Sequence, residues 1–392
     1  MRRAAILAAA VAIGGCTATT QPPAGDQHRR LLTLDTHLDT PALFDRPGWD
    51  FGAPHDPAAD LAQVDLPRME TGALDGGFFV IYTDPGPLTP QGYADALAFA
   101  RQRSDRIDAV LARYAERIVP ARTAAEAERI AGSGKLIAFK SIENSYPLGE
   151  DLSLLGELKR RGVTLAGPVH SKNNQFADSA TDAPRWNGLS PLGKRWVAEM
   201  NRLGMVIDAS HSSDAAFDQL LELSATPILL SHSSARAAYD HPRNLDDDRI
   251  RRLARQGGAM CVSTVFMSEH DMSGERGELA KALEAPGLSD AAARDLIRRW
   301  RALDATQPIW RTDFDAYMKM LLHVIEVAGV DHVCFGADWD GGGGIAGLQD
   351  ITAQPRITQA LSAAGYAEAD IAKMWSGNVL RILRAAEAHA AR

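Results

Sequence analysis

The sequence predicts a (β/α)8 barrel, an α/β fold of TIM type with inserted loops and extra C-terminal helices. Three observations carry this reading. Short apolar runs rich in β-branched and aromatic residues recur eight times. Segments with helical spacing of apolar residues stand between most of them. Run after run also ends in a polar, electron-donating side chain, the pattern of a parallel barrel whose C-terminal rim assembles a site. An open doubly wound sheet is expected to carry a Gly-rich phosphate turn after its first strand, and THLDTPALF has none.

The chain opens on a segment that reads as an address label. Arg2 and Arg3 precede an apolar stretch from Ala4 to Ile13 that is too short to span a bilayer, and Ile13-Gly14-Gly15-Cys16 resembles a bacterial lipobox. That resemblance implies a signal peptide over 1–15, cleavage before Cys16, lipidation of its thiol, and a periplasmic protein anchored to a membrane. An ordinary signal peptide with an incidental Cys16 is the competing reading. Residues 16–29 follow as a flexible tether, leaving 30–392 as a single barrel domain.

The first strand, 31–37, leads to His37-x-Asp39, whose spacing turns both side chains to one side of a strand. The second is predicted at 76–82 and is followed by a long helix over 90–118. The third, 136–143, ends in Glu143; a charge there is costly unless it is paired with a Lys or Arg or bound to metal. After a helix at 150–161 the fourth strand, 163–170, ends in His170. Helices at 190–203 and 213–223 flank the fifth strand, 205–211, which ends in His211. The sixth, 227–232, ends in His232 and precedes a helix at 246–256. The seventh is 258–264. A long excursion over 265–331, with helical stretches near 278–302 and 312–328, is of the kind that forms a lid or a subunit contact, so a homodimer is possible. The last strand, 332–338, ends in Asp338, and Gly341 to Gly344 then supply a turn or a close approach to a ligand.

Composition restricts the partners. At 392 residues and 45% hydrophobic, the chain can bury one large core. A formal charge of −8 without a long basic run excludes a nucleic-acid partner and favours a small molecule. Cys261 and Cys334 sit in apolar runs and read as two small buried hydrophobes rather than a disulfide framework.

A lone His-x-Asp triplet equally fits a satisfied core histidine. Together, however, the strand ends supply His37, Asp39, Glu143, His211 and His232, a mixture of imidazoles and carboxylates suited to zinc or a similar borderline metal. Five ligands exceed the set for one catalytic zinc and fit two, with Glu143 bridging through its two oxygens and a water between the ions becoming hydroxide near neutral pH. That chemistry suits a hydrolase.

The motifs LDTHLD, SIEN, VHSKNNQFADS, DASHSS, LLSHSSARA, HPRN, GADWDG and WSGNVLRI, in this order from about residue 31 to Asn378, resemble the renal (membrane) dipeptidase family of the amidohydrolase superfamily. Two departures are Ala337, where a Ser is frequent, and Asn144-Ser145-Tyr146 in place of a Gly-rich continuation. Neither touches a proposed ligand. The resemblance implies a zinc dipeptidase that cleaves small dipeptides with free amino and carboxyl ends and tolerates a D-residue on the carboxyl side. His37, Asp39 and bridging Glu143 then hold one zinc, and Glu143, His211 and His232 the other. Asp338 relays the proton from the bridging water to the leaving amine, His170 faces the scissile carbonyl, and Arg243 clamps the substrate carboxylate. His170 as a plain barrel-end residue, and Arg236 as a rival clamp with Arg243 paired to Asp246, Asp247 or Asp248, remain alternatives. Asp208 and Asp340 read as residues that orient ligands. Another binuclear amidohydrolase acting on N-acyl amino acids or lactones, and a non-catalytic lipid-anchored solute-binding protein, are the competing functions.

Overall fold

The computed structural model describes residues 24–283, 288–304 and 306–391. Its strands are β1 (Leu34–Leu38), β2 (Gly76–Ile81), β3 (Ile118–Pro120), β4 (Leu136–Ile142), β5 (Val163–Ala166), β6 (Val206–Ile207), β7 (Leu229–Ser233), β8 (Ala259–Val262) and β9 (Val333–Phe335). One parallel ladder runs β1-β2-β4-β5-β6 and a second runs β7-β8-β9. Single parallel bridges, Asp208 to Leu229 and Leu38 to Trp339, join the ladders at both seams. The predicted barrel therefore closes on eight staves. The short β3 is an addition that pairs with the start of β4, which is why the helix expected over 90–118 stops at Arg113.

The other helices lie close to their predicted spans: Ser153–Arg160, Pro191–Leu203, Asp214–Leu223, Asp247–Arg255 and Phe314–Ala328. Their starts are fixed by short polar side chains that accept from an unpaired first-turn amide, Ser190 from Gly193, Ser213 from Ala216 and Asp246 from Arg249. The stretch expected near 278–302 instead contains the helices Gly274–Leu283 and Asp290–Leu303. Arg276, fully buried, holds this excursion together: it donates to the Gln307 carbonyl, pairs with Asp304 at 3.1 Å and lies against the Trp300 ring.

Leu34, Phe78, Phe139, Leu165, Val206, Leu229, Cys261 and Cys334 belong to a single buried cluster with residues of the helices Ala124–Ala131 and Asn378–Ala390. One side chain from every stave fills the barrel, so it is a packed core and not a pore. Cys261 and Cys334 face each other across β8 and β9 and form a disulfide, which corrects their reading as separate thiols. Their 73-residue separation hid the pairing; the strand register creates it.

The tether expected through residue 29 also needs correction at its end. Ala24–His28 form a helical turn, and buried His28 meets Thr358 Oγ1 at 2.7 Å and the edge of Trp375. The ordered domain therefore begins before residue 30. The signal peptide at 1–15 and Cys16 lie outside the described residues. Among the described residues no helix is long and apolar enough to cross a membrane.

Candidate metal centre and active site

The strand ends bring the predicted residues to one mouth. On β1 the register shifts between Asp35 and Leu38, and on β7 between Leu230 and Ser233. Leu34 and Leu229 lie in the inner cluster, and strict alternation would send His37 and His232 to the opposite face. The irregularities re-aim both imidazoles into the mouth, a recurrent use of bulges beside active sites.

Glu143 Oε1 stands at the centre of the arrangement, 2.9 Å from His211 Nε2, 3.4 Å from His232 Nε2 and 3.6 Å from His37 Nε2. His37 Nε2 also lies 3.3 Å from Asp39 and 3.7 Å from Asp338. Three triads of donor atoms fall within 4.8 Å of one another: His37–Asp39–Glu143, Glu143–His211–His232, and His37–His232–Asp338. Glu143 is shared by the first two. His37 Nε2 is buried without a hydrogen-bond partner, as a nitrogen kept for a metal would be. A Cβ at Gly341 would overlap the carboxylates of Asp39 and Asp338, so the bare glycine backbone makes room for this cluster. The donor set and its geometry fit metal ions.

The electrostatics agree. Burial works against a proton on His37, but the carboxylates of Asp39, Glu143 and Asp338 outweigh it and push its pKa up to about 10. Burial raises Glu143 well above the usual carboxylate range, with His37 opposing, and lifts Asp338 to about 6. Burial, reinforced by the positive charges of Arg243 and neighbouring imidazoles, keeps His211 and His232 neutral. Three acidic groups thus compete for too little positive charge, a deficit that divalent cations make good.

A hydrogen-bond relay orients His232. Ser231 Oγ donates to Asp208 Oδ2. Having one hydrogen to give, it must accept from His232 Nδ1 at 2.8 Å, which leaves the Nε2 lone pair facing Glu143. Asp208 thus reaches a candidate ligand only through Ser231. Asp340 does not contact a ligand: it accepts from Thr40 Oγ1 and the Gln63 amide, both at 2.6 Å, and so ties the loop after Asp39 to the loop after β9.

The mouth opens on a cavity of about 310 Å³ lined by Asp39, Glu143, His170, His211, Arg243 and Asp338 among others. His37 and His232 lie behind it, almost wholly buried. His170 Nε2 is 3.6 Å from Glu143 Oε1, its Nδ1 is unpartnered, and burial lowers its pKa to about 3, so it presents a neutral imidazole. Arg243 is buried, donates to Ser233 Oγ and the His232 carbonyl, and keeps an unpartnered Nε. Arg236, its rival, is committed to Asp214 at 3.0 Å and lies near Asp246, while Arg249 also pairs with Asp246. The histidines outside the strand ends pack or pair elsewhere, His55 on Trp49, His241 on Phe266 and His323 with Asp247.

The cavity also holds Tyr82, Asp84, Phe99, Arg103 and Phe266, which the sequence reading missed. Tyr82 follows β2 directly, and the polar end of GGFFVIY was the available signal. Arg103 and Phe99 come from mid-helix positions that carry no such signal.

The description "Membrane dipeptidase (Peptidase family M19)" belongs to a family whose profile matches residues 24–392. The chain belongs to the membrane dipeptidase family. This dipeptidase is 31% identical to Dipeptidase tcpJ of Claviceps purpurea over 84% of its own length and 71% of that protein's. Its fold matches the crystal structure of the probable dipeptidase PvdM from Pseudomonas aeruginosa with a TM-score of 0.80 and 27% identity, covering 94% of this chain and 98% of that one. A Rhodobacter sphaeroides metallopeptidase, crystallised with a phosphinate mimic of L-Ala-D-Ala, shares the fold at a TM-score of 0.71 and 24% identity, over 91% of this chain and 99% of that one. The chain is thus a hydrolase of a metallopeptidase family.

Proposed function

We propose that this protein is a two-zinc dipeptidase that hydrolyses the peptide bond of small dipeptides free at both ends and accepts a D-residue on the carboxyl side. The reading rests on one observation above all: Glu143 Oε1 within 3.6 Å of the Nε2 atoms of His37, His211 and His232. His37, Asp39 and Glu143 would hold one ion, and Glu143, His211 and His232 the other, with Glu143 bridging. Bound there, the ions would acidify a water and polarise the scissile carbonyl.

The protein's own groups complete the reaction. Asp338 accepts the proton of the attacking water as the new C–O bond forms, and returns it to the amine nitrogen as the C–N bond breaks. His170 steadies the developing oxyanion. Arg243, buried and without a carboxylate partner among the described residues, binds the substrate carboxylate through its planar fork. Export to the periplasm on a lipidated Cys16 completes the reading. A disulfide inside the barrel supports it, since such bonds persist in oxidising compartments.

Chelation should abolish hydrolysis of L-Ala-D-Ala and of L-Ala-L-Ala, and two equivalents of zinc should restore it. N-acetylated and C-amidated analogues should be poor substrates. Full turnover in demetallated protein, or equal turnover of the blocked analogues, would reject the assignment.

A further inference from the structure

Arg103 is a second guanidinium in the cavity, and the roles above leave it unused. It belongs to the helix Pro90–Arg113 that follows β2, whereas Arg243 lies in the loop after β7. Around the closed ring the staves run β1, β2, β4, β5, β6, β7, β8, β9, so β2 and β7 are four steps apart in eight. The two cations therefore reach the mouth from opposite sides, with the Glu143 cluster between them.

The surroundings of Arg103 leave its charge available. It donates through Nη1 to the Pro41 carbonyl, its Nε is buried without a partner, and no carboxylate pairs with it among the described residues. Two carboxylates act on it from a distance, Asp45, which pairs with Arg106 at 3.1 Å, and Asp39, which belongs to the Glu143 cluster, while Asp84 in the same cavity accepts from the Tyr82 hydroxyl. Phe99, one helical turn earlier, lies under the guanidinium at 5.1 Å and is 44% exposed, an unusual state for a large apolar side chain at a cavity rim.

We propose that Arg103, backed by Phe99, forms a subsite for an anionic side chain on the amino-terminal residue of the substrate, so that dipeptides beginning with Asp or Glu are preferred. The inference rests on the dipeptidase reading. A dipeptide with its carboxylate on Arg243 and its scissile carbonyl at the Glu143 cluster extends its first residue toward the wall that carries Arg103. A carboxylate there meets a positioned, partly desolvated donor group, an interaction worth about tenfold to a hundredfold in selectivity.

The test compares kcat/KM for L-Glu-L-Ala and L-Gln-L-Ala, which differ in charge and little in shape, with L-Ala-L-Ala as reference. The zinc-loaded protein should favour Glu over Gln by about tenfold or more. Arg103→Gln should erase that ratio, and Arg103→Lys should keep part of it. Calorimetric binding of the two dipeptides to an Asp338→Asn background, in which turnover is slowed, should show the same contrast. A Glu/Gln ratio of one or below overturns the subsite, as does a ratio that survives Arg103→Gln or a variant that slows both substrates equally. If L-Ala-L-Ala is cleaved in those cases, the dipeptidase reading stands and only the subsite falls. If none of the three is cleaved, both fall together.

Discussion

At the scale of single residues, the site is a problem in placing charge where water is scarce. Asp338 and His211 both hold φ near +66°, at 66° and 67°, in the left-handed region that side chains other than glycine seldom occupy. Such strain persists only where the surroundings over-determine it, and here it sets a carboxyl and an imidazole at the rim. Burial also holds Asp338 up to about 6, near the range in which a carboxyl can both take and return a proton at neutral pH. Replacing it by Asn keeps the shape and removes the group proposed to carry the proton. Asp338→Asn should lower kcat by about 10²- to 10⁴-fold with zinc content unchanged. Steady-state kinetics alongside metal analysis checks this, and an unaltered kcat would take the proton transfer away from Asp338. His37, Asp39, Glu143, His170, His211, His232 and Asp338 were legible in the sequence because each follows an apolar run. Ser231 was not: the sequence shows a serine beside a histidine, and only the fold reveals its hydroxyl spanning Asp208 and His232.

At the scale of elements, the alternation of strand and helix was readable, but the deviations from it matter most to the site. The register shifts on β1 and β7 follow from pairing between strands and leave no trace in local composition. The amino-terminal turn is a similar case. AGDQH is polar and short, and it becomes ordered because His28 finds Thr358 and Trp375, some 330 residues away. Burial lowers the His28 pKa to about 4 from an ordinary 6.5. The sign follows from linkage: between these values the unfolded chain binds a proton that the folded chain refuses. The stabilising effect of the neutral ring is therefore complete above pH 6.5 and is lost as pH falls toward 4. The loss amounts to about 3 kcal/mol. Urea unfolding at pH 7 and pH 5 should show a steeper decline for the natural protein than for His28→Leu; parallel declines would remove His28 as the cause.

At the scale of the whole molecule, two parallel ladders meet at two single-residue seams, and one of them, Leu38 to Trp339, lies between His37-x-Asp39 and Asp338. Closing the barrel and assembling the site are the same event. The excursion after β8 reinforces that rim: Arg301 donates to the carbonyls of Pro57 and Asp60, and Trp310 Nε1 donates to Gly342. Residue 24 enters the fold just ahead of the N-terminal end of β1, opposite the C-terminal mouth. A chain anchored at Cys16 would thus be attached at the end of the barrel away from the mouth. Cys16→Ser should shift the protein from the membrane fraction to the soluble fraction when it is expressed in a bacterium, with dipeptidase activity retained; unchanged fractionation would count against the anchor.

The sequence by itself determined the class of fold and the metal-capable strand ends, because hydrophobic periodicity and the chemistry of a terminal side chain are local properties. Tertiary structure alone decided that these ends converge on Glu143, that Cys261 joins Cys334, that Arg236 is occupied while Arg243 and Arg103 face the cavity, and that His37 and His232 turn inward. Those outcomes depend on which strands become neighbours and in what register, and contacts between residues tens to hundreds of positions apart have no local signature.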